Sequence, residues 1–143
     1  MRGIMRIPVN RSASIVLIER NATLLFYMQD ALTALGAQVT YADEPRPGLE
    51  HVHAQPPDLV VCHLTGAEDE SPRVQRALCK QPDVTFVLIT AHPSGTLRRA
   101  AKQLDTVTLL TPPMSARDVA AAICRVLQTR PVPRSPREPP HKP

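Results

Sequence analysis

Reactive side chains stand at the ends of short apolar runs in this sequence. Glu19 and Arg20 follow Ser14–Ile18, His63 follows Asp58–Cys62, and Thr90 closes Thr85–Thr90. A carboxylate can ligate a hard cation, an imidazole can accept a phosphoryl group or a metal, and a hydroxyl can bind a phosphoryl oxygen. The fifth run, Val107–Leu110, leads to Thr111 and Pro112, so no charge stands after it. Each residue also has a simpler reading. A lone His at a strand end is read as a hydrogen-bonded structural residue. Thr90 can be an ordinary strand-end hydroxyl, and Glu19 beside Arg20 a solvated pair in a loop.

Other groups offer less. His51 and His53 form an H-x-H, but residues two apart do not share a helix face, so they make a poor metal pair. Cys62 precedes His63, and strand neighbours point to opposite faces, which rules out a nucleophile–base pair. Glu68, Asp69 and Glu70 form a charged run read as solvated. Asp58 and Asp69 could be considered as phosphate acceptors; Asp58 opens its strand at the wrong end, and Asp69 lies in a loop. Only five Gly are present and no G-x-G-x-x-G occurs, so no phosphate-cradling loop is expected. No cofactor, metal or catalytic activity is expected.

These residues need elements to position them. Ser14–Ile18, Gln38–Ala42, Asp58–Cys62, Thr85–Thr90 and Thr106–Leu110 read as strands. Between them lie helical patterns. Asn21 caps the first, in which Leu24, Leu25, Met28, Leu32 and Leu35 recur before Gly36 ends it. Arg46–Ala54 reads as a weak helix with Leu49, Val52 and His53 inward. Ser71–Pro72 reads as a helix start, with Val74, Leu78 and Cys79 toward the core. Ser94 caps a helix carrying Leu97, Ala100, Ala101 and Leu104. Ser115 and Asp118 form a capping-box-like start for a last helix with Val119, Ala122, Ile123 and Val126 on one face. Alternating strands and helices imply a doubly wound, flavodoxin-like α/β fold: a five-stranded parallel sheet in a three-layer sandwich. Function belongs at the carboxyl ends of its strands.

The chain has 143 residues and reads as one domain, 14–128, between a lead, 1–13, and a tail, 129–143. From Pro131 on, six of thirteen residues are Pro, so the tail is expected to be extended and disordered. Aromatics are 3% with no Trp, so the core must be aliphatic. The net charge of +4 gathers largely at the two ends and is read as solubilising; nucleic acid is not an expected partner. Three cysteines without pair spacing, and an N-terminus without an apolar signal run, suggest a reducing, cytoplasmic setting.

Four segments in order resemble response-regulator receiver domains of the CheY-like family, over roughly 14–127. They are SIVLIERN with its helix and LGAQV, PDLVVCHL, FVLITAH, and LLTPPMSARDVAAAI. The family's chemistry uses an acidic pair for Mg²⁺, an Asp nucleophile, a hydroxyl and a Lys. On this resemblance Glu19 matches the first acid and Arg20 the second. His63 matches the nucleophile, Thr90 the hydroxyl and Pro112 the Lys. Pro113 matches the family's following Pro, which implies a cis bond before it. Leu109 falls at the aromatic switch position. The resemblance therefore implies a degenerate pseudo-receiver that acts through a protein partner in signalling or transcriptional regulation. The expected docking or homodimer face is helix four, strand five and helix five, carried by Leu97, Leu104, Leu109 and Val119. The alternatives are a phosphorelay receiver with a non-standard acceptor and a small-ligand-binding flavodoxin-like domain.

Overall fold

The computed structural model describes residues 12–65 and 70–129. Ten elements alternate: β1 Ser14–Ile18, α1 Ala22–Ala34, β2 Gln38–Ala42, α2 Pro45–Ala54, β3 Leu59–Leu64, α3 Glu70–Lys80, β4 Thr85–Thr90, α4 Gly95–Gln103, β5 Val107–Leu110 and α5 Ala116–Thr129. The strands form one parallel sheet in the order β2-β1-β3-β4-β5. This is the doubly wound sandwich that the alternation of patterns predicts, and β2 is an edge strand.

Strand alternation divides the core in two. Ile15 and Leu17 of β1, Leu59 and Val61 of β3, and Val87 and Ile89 of β4 face α1 and α5, meeting Leu25, Met28, Leu32, Val119, Ile123 and Leu127. The intervening residues Val16, Ile18, Val60, Cys62, Phe86 and Leu88 face α2, α3 and α4. The core is aliphatic apart from Phe86; the other three aromatics, Phe26, Tyr27 and Tyr41, are exposed.

Local chemistry sets the helix ends. The Asn21 side chain accepts the amide of Leu24, and Ser94 accepts that of Leu97. Ser115 and Asp118 exchange bonds: the Ser115 amide donates to the Asp118 carboxylate at 3.2 Å, and the Asp118 amide to the Ser115 hydroxyl at 3.1 Å. Gly36 closes α1 with φ of 97°, the left-handed region that disfavours a side chain. At Gly48, α2 presses onto the sheet so closely that an added Cβ would lie 2.6 Å from Ile18 Cγ1.

Several expectations need correction. β3 runs two residues further than Cys62, so His63 lies within the strand and Asp58 just before it. α3 already includes Glu70, which places Ser71 inside the helix instead of in front of it. His53 and Cys79 are exposed, because each lies beside the inward stripe of its helix, formed by Leu49 and Val52 on α2 and by Val74 and Leu78 on α3. α5 continues through Thr129, one residue past the expected boundary. The lead up to Arg11, Asp69 with most of its acidic run, and the Pro-rich tail from Arg130 lie outside the described residues. Cys124 is buried in α5, and burial pushes its thiol up, opposed by neighbouring Arg125.

Candidate functional site at the strand ends

The parallel register carries β1 and β3 to the same edge of the sheet. Ile18 lies opposite Cys62, so the next residues on each strand are Glu19 and His63. Glu19 continues the alternation of Ile15 and Leu17, which turns its side chain inward; it is only 1% exposed. His63 Nδ1 lies 2.6 Å from Glu19 Oε1. A carboxylate only accepts, so Nδ1 carries the hydrogen and donates. The contact is short for a nitrogen donor. The second carboxylate oxygen, Oε2, accepts the backbone amide of Asn21 at 3.1 Å. Because Asn21 also caps α1, the start of that helix and the buried carboxylate are tied into one structure.

Glu19 is therefore not half of a solvated loop pair with Arg20. Arg20 turns outward and meets Glu44, ahead of α2, at 3.3 Å. His63 is hydrogen-bonded, as the simpler reading of a strand-end His expects. Cys62 sits in the opposite core cluster, so the two neighbours do face apart.

Thr90 ends β4 opposite Leu64 and falls in the row of Phe86 and Leu88. It is buried, and its hydroxyl accepts the amide of His92 at 3.2 Å, closing its own turn. Pro112 lies in the loop after β5 and is joined to Pro113 by a cis bond, as the resemblance implies. A proline brings neither a cation nor a backbone donor to that loop.

Asp58 does not reach this site. It lies at the amino end of β3, where its Oδ2 accepts the amide of Ser14 at 2.8 Å and its own amide donates to the Ser14 carbonyl at 2.8 Å. That placement excludes it as a substitute acceptor beside Glu19. Among the described residues, no group of three or more His, Cys, Asp or Glu could hold a metal ion. At Glu19 the imidazole and an amide each bond one carboxylate oxygen, so a cation there would have to share the carboxylate with both donors.

The four apolar side chains of the expected docking face separate. Leu97 and Val119 are core residues, 1% and 3% exposed, because they lie on the inward stripes of α4 and α5. Leu109 is half-buried against the α2–α3–α4 side of the core. Leu104, at the C-cap of α4, is exposed. What the sequence could not reveal is the Glu19–His63 bond, whose partners are 44 residues apart. The matched positions after two parallel strands were the available signal.

No protein-family model matches the chain, and no curated protein does. Solved structures do match. A CheY-like response-regulator receiver domain protein from Methanospirillum hungatei JF-1 aligns with TM-score 0.69 and 16% identity, covering 82% of this chain and 95% of that one. The signal receiver domain of an HD domain-containing protein from Pseudomonas fluorescens Pf-5 aligns with TM-score 0.66 and 21% identity, covering 83% and 97%. The chemotaxis protein CheY4 of Vibrio cholerae aligns with TM-score 0.65 and 14% identity, covering 80% and 98%. The chain has the flavodoxin-like fold of CheY-like response-regulator receiver domains.

Proposed function

We propose that this chain is an atypical receiver domain, a pseudo-receiver, that works in signal transduction or transcriptional regulation by phosphorylation-independent protein–protein interaction. It is not an enzyme. The observation that supports this reading is the Glu19–His63 bond at the carboxyl ends of β1 and β3. The carboxylate that would serve a divalent cation is held by an imidazole and an amide instead, and Pro112 stands where a cation would meet a phosphoryl oxygen.

The setting we propose is cytoplasmic, consistent with free cysteines at 62, 79 and 124. Among the described residues no helix is long and apolar enough to cross a membrane. Nucleic acid is not the partner proposed. On the α4–β5–α5 face, Leu97 and Val119 belong to the core, and of the four expected residues Leu104 offers a large exposed apolar surface.

The test is incubation with acetyl phosphate and Mg²⁺, followed by mass spectrometry and hydroxylamine treatment. No hydroxylamine-labile phosphoryl adduct is expected. A stoichiometric, hydroxylamine-labile acyl phosphate would overturn the reading.

A further inference from the structure

Four cations of this domain line one groove. The groove, of about 220 Å³, lies between α2 and α3, on the side of the sheet away from α1 and α5. Arg46 of α2 and Arg73, Arg76 and Lys80 of α3 line it. Glu50 is the one acidic side chain in its lining, and it pairs with Arg46 at 3.5 Å. Among the described residues no ion pair neutralises Arg73, Arg76 or Lys80. Positions 73, 76 and 80 follow a helix's three-and-four spacing, so the three cations form a stripe roughly 10 Å long. The apolar side chains of Leu49 and Ala77 lie between the two charged rims.

We propose that this groove docks an acidic amphipathic segment of a protein partner, its carboxylates on the α3 stripe and an apolar side chain over Leu49 and Ala77. The proposal rests on reading the domain as a docking module and names the chemistry of its partner. Charge complementarity selects the occupant: an excess of unneutralised cations calls for an anion, and one helical face of Glu or Asp at the same spacing matches the stripe. Nucleic acid fits less well. Sequence-tolerant binding of single strands uses several aromatic stacking platforms; the exposed Phe26, Tyr27 and Tyr41 lie on α1 and β2, outside the groove, whose lining offers the single imidazole of His53. The groove also spans too little length to neutralise more than a few phosphates.

The probe is a fluorescently labelled helical peptide with Glu and Leu on one face, titrated with the full chain and read by anisotropy. Saturable binding that weakens as salt rises is expected. Reversing two charges, Arg73→Glu with Arg76→Glu, should weaken it at least about tenfold. The milder pair Arg73→Gln with Arg76→Gln should fall between, and thermal melts confirm that each variant is folded. Arg98→Glu with Arg99→Glu, on α4 outside the groove, should leave binding nearly unchanged. Absence of saturable binding, or an equal loss in the α4 variant, would overturn the proposal. So would displacement of the peptide by single-stranded DNA of matched charge at lower concentration, which would assign the groove to nucleic acid. No phosphoryl donor is present in this assay. A chain that fails here yet takes up no acetyl phosphate would lose the groove proposal and keep the wider one.

Discussion

β1 and β3 lie side by side, and each end of the pair carries one buried acidic side chain. At the amino end Asp58 of the β3 segment bonds the main chain of Ser14, donor to acceptor and acceptor to donor. At the carboxyl end Glu19 of β1 bonds a side chain, His63, and one amide. The first tie depends on a backbone that any sequence supplies, so it needs one correct residue. The second depends on two residues chosen together. An acid whose partner is main chain is architecture; an acid whose partner is a replaceable side chain marks a place where chemistry can be exchanged for structure. In this chain the carboxyl end carries such a side-chain tie, within an intact parallel sheet.

The comparison can be broken from the amino end first. Asp58→Ala should cost about 2–3 kcal/mol, because it strands the part-buried Ser14 amide at the β1 entry and removes a charged acceptor. Urea unfolding of the variant and wild type measures it. Amides of β1 and β3 near Ser14 and Asp58 should lose hydrogen-exchange protection, while those near Glu19 and His63 keep theirs. A cost under about 0.5 kcal/mol, the scale of an ordinary surface substitution, would show that the Asp58 tie is incidental.

At the carboxyl end the expected loss is smaller, since His63 is partly exposed and water can reach the gap it leaves. His63→Ala should destabilise by about 1–2 kcal/mol, through a buried Glu19 left without its donor. A double-mutant cycle with Glu19→Gln sharpens this. The two residues touch, so a coupling of about 0.5–2 kcal/mol is expected, against near-additivity between His63→Ala and Asp58→Ala at opposite ends of the strand. Additive behaviour of Glu19 and His63 would remove the pair from the account of the site.

The sheet was legible because its signals are local. Runs such as TFVLIT, the caps at Asn21, Ser94 and Ser115, and the glycine at 36 each act within a few residues, and the structure agrees at every one. The positions of Glu19 and His63 were legible for the same reason, as residues that follow apolar runs. Their bond was not, because burial and partner choice are set by parallel register between strands far apart in sequence. The end of β3 was misplaced because a histidine breaks an apolar pattern without breaking a strand that has β1 and β4 on either side. Leu97 and Val119 differ from a surface expectation for another reason: the resemblance places them on a docking face, whereas their helical spacing puts them on the inward stripes of α4 and α5, where both are buried. The groove between α2 and α3 left no contiguous signature, since Arg46 and Arg73 come from separate helices.

The smallest effect expected separates the two ends by their response to a divalent cation. In the wild-type chain the Glu19 oxygens are held by His63 and the Asn21 amide, so millimolar Mg²⁺ should leave the melting temperature unchanged. His63→Asp alters only the partner. It sets a second carboxylate beside Glu19, and two carboxylates sharing a buried site repel unless a proton or a cation joins them. Hard oxygen ligands suit Mg²⁺, so the variant should start less stable than wild type and regain about 1 kcal/mol or less on adding it. Differential scanning fluorimetry over a Mg²⁺ titration, with K⁺ at matched ionic strength as the control, measures both. Asp58 gives the contrast: its carboxylate is tied to the main chain, so Asp58→Asn should change stability without creating any response to Mg²⁺. A saturable Mg²⁺ shift in the wild-type chain would mean that the imidazole does not hold the carboxylate against a cation. The distinction between the two ends of β1 and β3 would then fail at its carboxyl end.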